Sequence, residues 1–169
     1  MFKKNIKILF ISSLISLWSF GSQAEDWIMA SGYAKSNFHT QNIIKFIDEV
    51  KSTTSININL NPNDTLIKID AIKSSLQRGQ IPIGEIRLGI YGNEDPMYVL
   101  AGMPFIAPDY ASGWLLKDIQ MDYLQKRFAK KGLMILYTTP WPGQGFYTKF
   151  PVNKVSDFKG KKLRIYSTA

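Results

Sequence analysis

The sequence predicts an α/β fold, with a parallel or mixed sheet covered by helices on both faces. Three observations carry this. Strand and helix signals alternate in the order β-α-β-α-β. The strand at Ser55 to Leu60 sets Ile56, Ile58 and Leu60 against Asn57 and Asn59 with period two. The helical stretches place apolar residues at three- and four-residue spacing and close on basic residues and glycine.

Taken in order, the first residues read as an export signal. Lys3, Lys4 and Lys7 form a basic start, Ile8 to Phe20 an apolar run, and Ser22-Gln23-Ala24 a small-residue cleavage site. Residues 1–24 are expected to be a signal peptide cleaved after Ala24. The apolar run is short for a membrane span.

Trp27 to Ala30 reads as the first strand and ends in the turn-prone Ser31-Gly32. After the polar Asn37 to Thr40, residues Ile43, Ile44, Phe46, Ile47 and Val50 follow at helical spacing. Asn61 to Asp64 is a turn. Leu66, Ile69, Ile72, Lys73 and Leu76 predict an amphipathic helix ending at Arg78-Gly79. Gln80 to Leu88 is expected as a third strand, near an edge because Pro82 lacks an N–H. Tyr110 to Lys131 predicts a long helix, and Leu133 to Tyr137 another strand. Asp157 to Gly160 is a turn, after which Lys162 to Tyr166 reads as a strand with Arg164 on its polar face.

Charge and composition narrow the function. The chain carries 21 basic and 13 acidic residues, net +8. Without residues 1–24, which hold three lysines and no acid, the net charge is +5. That dispersed surplus suits an anionic solute or surface and does not demand nucleic acid; no stretch interleaves aromatic and basic residues as a single-strand binder does. There is no cysteine, so an exported chain must rely on an ordinary core. No GxSxG elbow and no phosphate loop occur, and a single histidine, His39, leaves few general bases. Glu94, Asp95 and Asp64 lack a His or Cys cluster, so neither a metal nor a cofactor is expected.

In open α/β sheets, ligands gather at the carboxyl ends of strands. The loops to watch are therefore 31–40, 61–65, 89–96 and 138–145. The last contains Trp141-Pro142-Gly143-Gln144-Gly145-Phe146, a rigid aromatic beside two flexible glycines and a free amide, which suits either the wall of a small-molecule cleft or a turn whose Trp caps the core. His39, at the mouth of the first helix, suits a cap, a packing residue or a pH-sensitive contact. Arg164 carries a planar fork that matches a carboxylate bidentately, or is a solvated strand cation.

Several stretches, in order, resemble the DctP-type substrate-binding proteins of TRAP transporters. They are Trp27 to Tyr33 with Asn37-Phe38-His39; Asp64 to Leu66; Gln77 to Glu85; Gly92 to Pro96; Met103-Pro104-Phe105; Trp141 to Thr148; Pro151-Val152; and Asp157 to Arg164. The resemblance implies a type II-like periplasmic binding protein of two lobes, with a mixed sheet flanked by helices in its first lobe. It implies a receptor, not an enzyme, that closes on a small organic anion, commonly a carboxylate. The receptor would then deliver the solute to membrane-embedded, sodium-driven TRAP transporter subunits. Residues 25–140 would form the first lobe, and residues 141–169 the crossover into a second lobe that stops short. Arg164 matches the segment supplying the family's carboxylate-binding arginine. The segment Pro142 to Phe146 lacks the second arginine of the sialic-acid-binding branch, which argues against sialic acid. The candidate ligand contacts are Arg164, Trp141, Gln144, Phe146, Glu85 and His39. An exported α/β enzyme, an anionic-polymer module and a non-functional fragment of the receptor are the competing readings.

Overall fold

A computed structural model describes residues 25–164. The expected signal peptide, residues 1–24, and the end of the last expected strand, residues 165–169, lie outside the described residues.

Strands β1 (Glu25–Ala30), β2 (Ile56–Asn61) and β3 (Ile83–Gly84) form a sheet of order β2-β1-β3. Both pairings are parallel, with Trp27 opposite Ile58 and Met29 opposite Leu60 and Ile83. Among the described residues the sheet is thus parallel rather than mixed. Successive residues of β1 point to opposite faces, and two cores follow from this. Met29, Ile58 and Ile83 pack under Ile43, Phe46, Ile47 and Val50 of helix α1 (Phe38–Thr53). The adjacent Ala30 faces the other way, onto Ile72 and Leu76 of helix α2 (Ile72–Gln77) and Ile81. Helices therefore cover both faces, as the alternation of signals predicts.

Local chemistry sets the helix ends. The Asn37 side chain accepts the His39 N–H at 2.9 Å and caps α1. Helix α3 (Tyr110–Ala129) opens on a reciprocal capping box between Asp109 and Ser112 and is followed by Gly132. After α2, Gly79 takes φ +66°, a left-handed turn that glycine adopts without strain.

Four expectations need correction. The second helix is one and a half turns, not the longer helix expected from Leu66. Asp64 accepts the Ile69 N–H at 2.8 Å, and the Tyr91 hydroxyl donates to the Ile69 and Asp70 carbonyls. These bonds give the backbone before Ile72 an alternative to helix. The third strand is two residues long, not nine. Its ladder ends where the Glu85 N–H donates to the Ala30 carbonyl at 2.9 Å, because β1 turns away at Ser31. Residues 133–137 join no sheet among the described residues. Their alternation is met by packing, with Leu133 and Ile135 on the core of Tyr91, Tyr98, Leu124 and Phe128. Residues 162–164 likewise form no strand.

The loop at 89–96, one of those to watch, is knitted to α2 and α3. Buried Lys73 pairs with Glu94 and lies 4.7 Å from the Tyr91 ring centroid. Buried Asp95 accepts from the Tyr123 hydroxyl at 2.6 Å and from Arg127 Nε at 2.8 Å. The Tyr123 bond is the main influence holding the Asp95 carboxyl below its usual range.

Candidate functional site

All strands run the same way, so Ala30, Asn61 and Gly84 end at one edge of the sheet. Three chain segments meet there: 31–39 after β1, Glu85 after β3, and 137–141.

The first segment is pinned to its neighbours. Ser31 N–H donates to the Asn61 carbonyl at 3.0 Å, and Asn63 N–H to the Tyr33 carbonyl at 2.8 Å. Ser31 is fully buried, and its hydroxyl donates to Glu85 Oε2. Burial pushes the Glu85 carboxyl up, while the Ser31 hydroxyl pulls it back. Burial, reinforced by the Glu85 charge, also raises the Tyr137 phenol.

Aromatic rings form the wall. His39 lies within a cage of Phe38, Trp141 and Tyr33, with ring centroids at 4.2, 4.4 and 5.9 Å. Trp141 also meets Tyr33 edge-on at 5.3 Å. His39 Nδ1 lies 3.0 Å from Thr139 Oγ1. Its Nε2 is buried without a hydrogen-bond partner, as is Thr138 Oγ1. Burial lowers the His39 pKa from 6.5, favouring the neutral ring. Burial likewise raises the Tyr33 phenol, opposed by the Arg87 charge and the Trp141 indole and reinforced by Glu85. Beside this cage, a groove of about 360 Å³ opens between α1 and the start of α3. Phe38, His39, Lys45, Tyr110, Trp114 and Thr139 line it.

Chemically, the arrangement offers an apolar aromatic wall with a few fixed polar groups, the composition of a small-molecule site. Among the described residues, no three His, Asp or Glu side chains gather as a metal site would require, and no helix is long and apolar enough to cross a membrane.

Of the six residues singled out from sequence, three converge here: His39 and Trp141 in direct contact, and Glu85 beside Tyr33. Gln144 instead donates to the Pro142 carbonyl of its own loop at 2.9 Å. Phe146 is largely exposed, its ring 4.8 Å from Phe158. Arg164, the last described residue, is exposed. The loop that carries Trp141 is fixed by close approach: a Cβ at Gly143 would fall 2.2 Å from the Pro108 carbonyl oxygen, just before α3. Sequence reasoning passed over Ser31, Tyr33, Tyr137 and Thr139 as individual contacts. The available signal was position, since Ser31 and Tyr33 directly follow the central strand.

The family model for DctP, bacterial extracellular solute-binding protein family 7, matches residues 30–169. A search of curated proteins finds no match. Among solved structures, DctP7 of Bordetella pertussis, an extracytoplasmic solute receptor binding pyroglutamic acid, is 36% identical. The match covers 85% of this chain and 48% of that one, with a TM-score of 0.80. DctP6 of the same organism, also binding pyroglutamic acid, is 38% identical over 69% of this chain and 40% of its own, with a TM-score of 0.68. A TRAP solute-binding protein from a marine metagenome, specific for pyroglutamate, is 36% identical over 80% and 45%, with a TM-score of 0.74. The matches span less than half the length of each of these receptors. The parallel sheet and its flanking helices form part of one lobe of their fold. With the family model covering all but the first residues, the chain belongs to the bacterial extracellular solute-binding proteins of family 7, the DctP-type receptors of TRAP transport.

Proposed function

We propose that this chain forms one wall of a periplasmic receptor that binds a small organic anion, a carboxylate, and delivers it to the membrane subunits of a sodium-coupled TRAP transporter. The observation that carries this reading is the cage around His39. A buried imidazole nitrogen without a partner, among three aromatic rings at the carboxyl edge of a parallel sheet, fits a small-molecule site. The identity of 36–38% to pyroglutamate receptors supports a carboxylate of that size.

In this reading the protein performs no chemistry on its solute. Trp141, with Phe38 and Tyr33, supplies the apolar wall. His39 and Glu85 supply polar contacts, and Gln144 and Phe146 approach the solute from the 141–146 loop. Arg164 reaches the carboxylate from the facing side when the cleft closes, as a bidentate pair. Export precedes this role, with cleavage after Ala24 leaving Glu25 as the mature amino terminus; mass spectrometry of the exported protein checks that point.

The test is calorimetry on the full gene product with mono- and dicarboxylates, keto acids, sugar acids and pyroglutamate. Saturable binding of at least one carboxylate, lost when the carboxyl is converted to the amide, is expected. A panel in which no carboxylate binds overturns the reading.

A further inference from the structure

Glu85 is an unusual group for the wall of an anion receptor. A carboxylate solute is repelled by a second carboxylate, and burying a carboxyl costs stability unless something bonds to it. Yet Glu85 is held in place on purpose-built terms. Its backbone N–H donates to the Ala30 carbonyl at 2.9 Å, locking the chain at the end of β3. Its side chain takes the hydroxyl of Ser31, which is itself fully buried and tied to β2 through the Asn61 carbonyl. The Glu85 charge also contributes to raising the phenols of Tyr33 and Tyr137, after burial.

A carboxylate offers about four lone-pair sites, and the Ser31 hydroxyl uses one. The remaining capacity suits a donor. An acceptor or a second carboxylate brought to the same place would be rejected.

We propose that Glu85, oriented by Ser31, accepts an N–H of the solute, so that the receptor selects carboxylates carrying a neighbouring N–H donor, of which a cyclic amide is the simplest fit. This rests on the carboxylate-receptor reading above and names the solute class for that site. It also sets the solute's direction: the N–H edge faces Glu85 and the carboxylate points away from it, toward a cation. Three receptors of 36–38% identity that bind pyroglutamate, a cyclic amide with its N–H beside its carboxylate, agree with that class. Dicarboxylates of the same length are disfavoured, because their second carboxylate would confront Glu85.

The experiment compares two probes on the full gene product by calorimetry: L-pyroglutamate, and its lactone analogue in which a ring oxygen replaces the N–H. The two share shape, carbonyl and carboxylate. The parent protein is expected to bind the lactam at least about tenfold more tightly, the value of one charge-assisted hydrogen bond. Glu85→Gln, whose amide can donate to the ring oxygen, is expected to shrink that ratio to about threefold or less. Ser31→Ala, which frees the carboxyl to rotate, should reduce the ratio partway and serves if Glu85→Gln fails to fold. Equal affinities for lactam and lactone in the parent overturn the proposal, as does an unchanged ratio in a folded Glu85→Gln protein. If carboxylates bind but the lactam is not preferred, only the role of Glu85 falls. If no carboxylate binds, the receptor reading falls with it.

Discussion

The His39 imidazole and the Trp141 indole meet edge to face, their centroids 4.4 Å apart and their planes inclined by 65°. The contact joins the start of α1 to a loop far along the chain, and Trp141 extends the clasp to Phe38 and Tyr33. Removing the indole therefore affects both the wall of the site and the packing of two segments. Trp141→Ala should cost about 2 kcal/mol in urea unfolding, below the ~3–5 kcal/mol of a fully buried aromatic because Trp141 is 41% exposed. Solute affinity should fall as well, and Trp141→Phe should restore most of both. An unchanged unfolding midpoint in Trp141→Ala would show that the clasp contributes nothing.

The pH dependence of stability follows from His39. Burial lowers its pKa in the folded state from 6.5, so the unfolded chain takes up a proton more readily. Stability linked to this residue is fully present above about pH 6.5 and falls as the pH drops from there through the lowered value. Glu85 acts oppositely. Its raised pKa adds stability below 4.5 that is lost as the pH rises through the raised value. Comparing the parent with His39→Asn cancels the Glu85 contribution. Between about pH 7.5 and 5.5 the parent should lose more melting temperature than the variant. Parallel curves would remove His39 as the titrating group.

Gly143 tests how the Trp141 loop is anchored. A methyl there meets the Pro108 carbonyl oxygen at 2.2 Å, and backbone on both sides leaves little to yield. Gly143→Ala should push the loop away from the start of α3, at a cost of about 1–3 kcal/mol. Trp141 would shift with it. Tryptophan emission should move to the red and solute affinity should drop. Wild-type emission with wild-type affinity would mean that the loop reaches its position without the close approach.

Arg164 is exposed, so changing it should leave folding nearly untouched. In the proposed closed cleft, a bidentate pair from Arg164 to the solute carboxylate would be shielded from water. Arg164→Lys keeps the charge and loses the fork, and should weaken binding by about tenfold. Arg164→Ala should weaken it further. Calorimetry with the best-bound carboxylate decides: equal affinity for Arg164→Lys and parent leaves Arg164 as a solvated cation.

The sequence by itself determined which faces are buried. Period two in Ile56 to Leu60 and the stripe Ile43, Ile47 and Val50 are local patterns, and each appears as read. So does the turn at Gly79, where the residue's own freedom settles the backbone. The segment after β1 reaches the carboxyl edge of the sheet as strand order implies, whereas after β3 the residue at that edge is Glu85, because the strand ends at Gly84 rather than Leu88.

Other features depended on distant groups that no local pattern contains. The second helix shortened because Tyr91 and Asp64 took its backbone partners. Residues 133–137 carry a strand's alternation but pack on α3, since a strand exists only where another edge offers its N–H and C=O groups. The same reason separates the six candidate residues. His39, Trp141 and Glu85 come together because Ser31 bonds Glu85, Gly143 approaches Pro108 and Thr139 meets the imidazole. Each of these contacts spans separate segments, so only the tertiary structure could decide it.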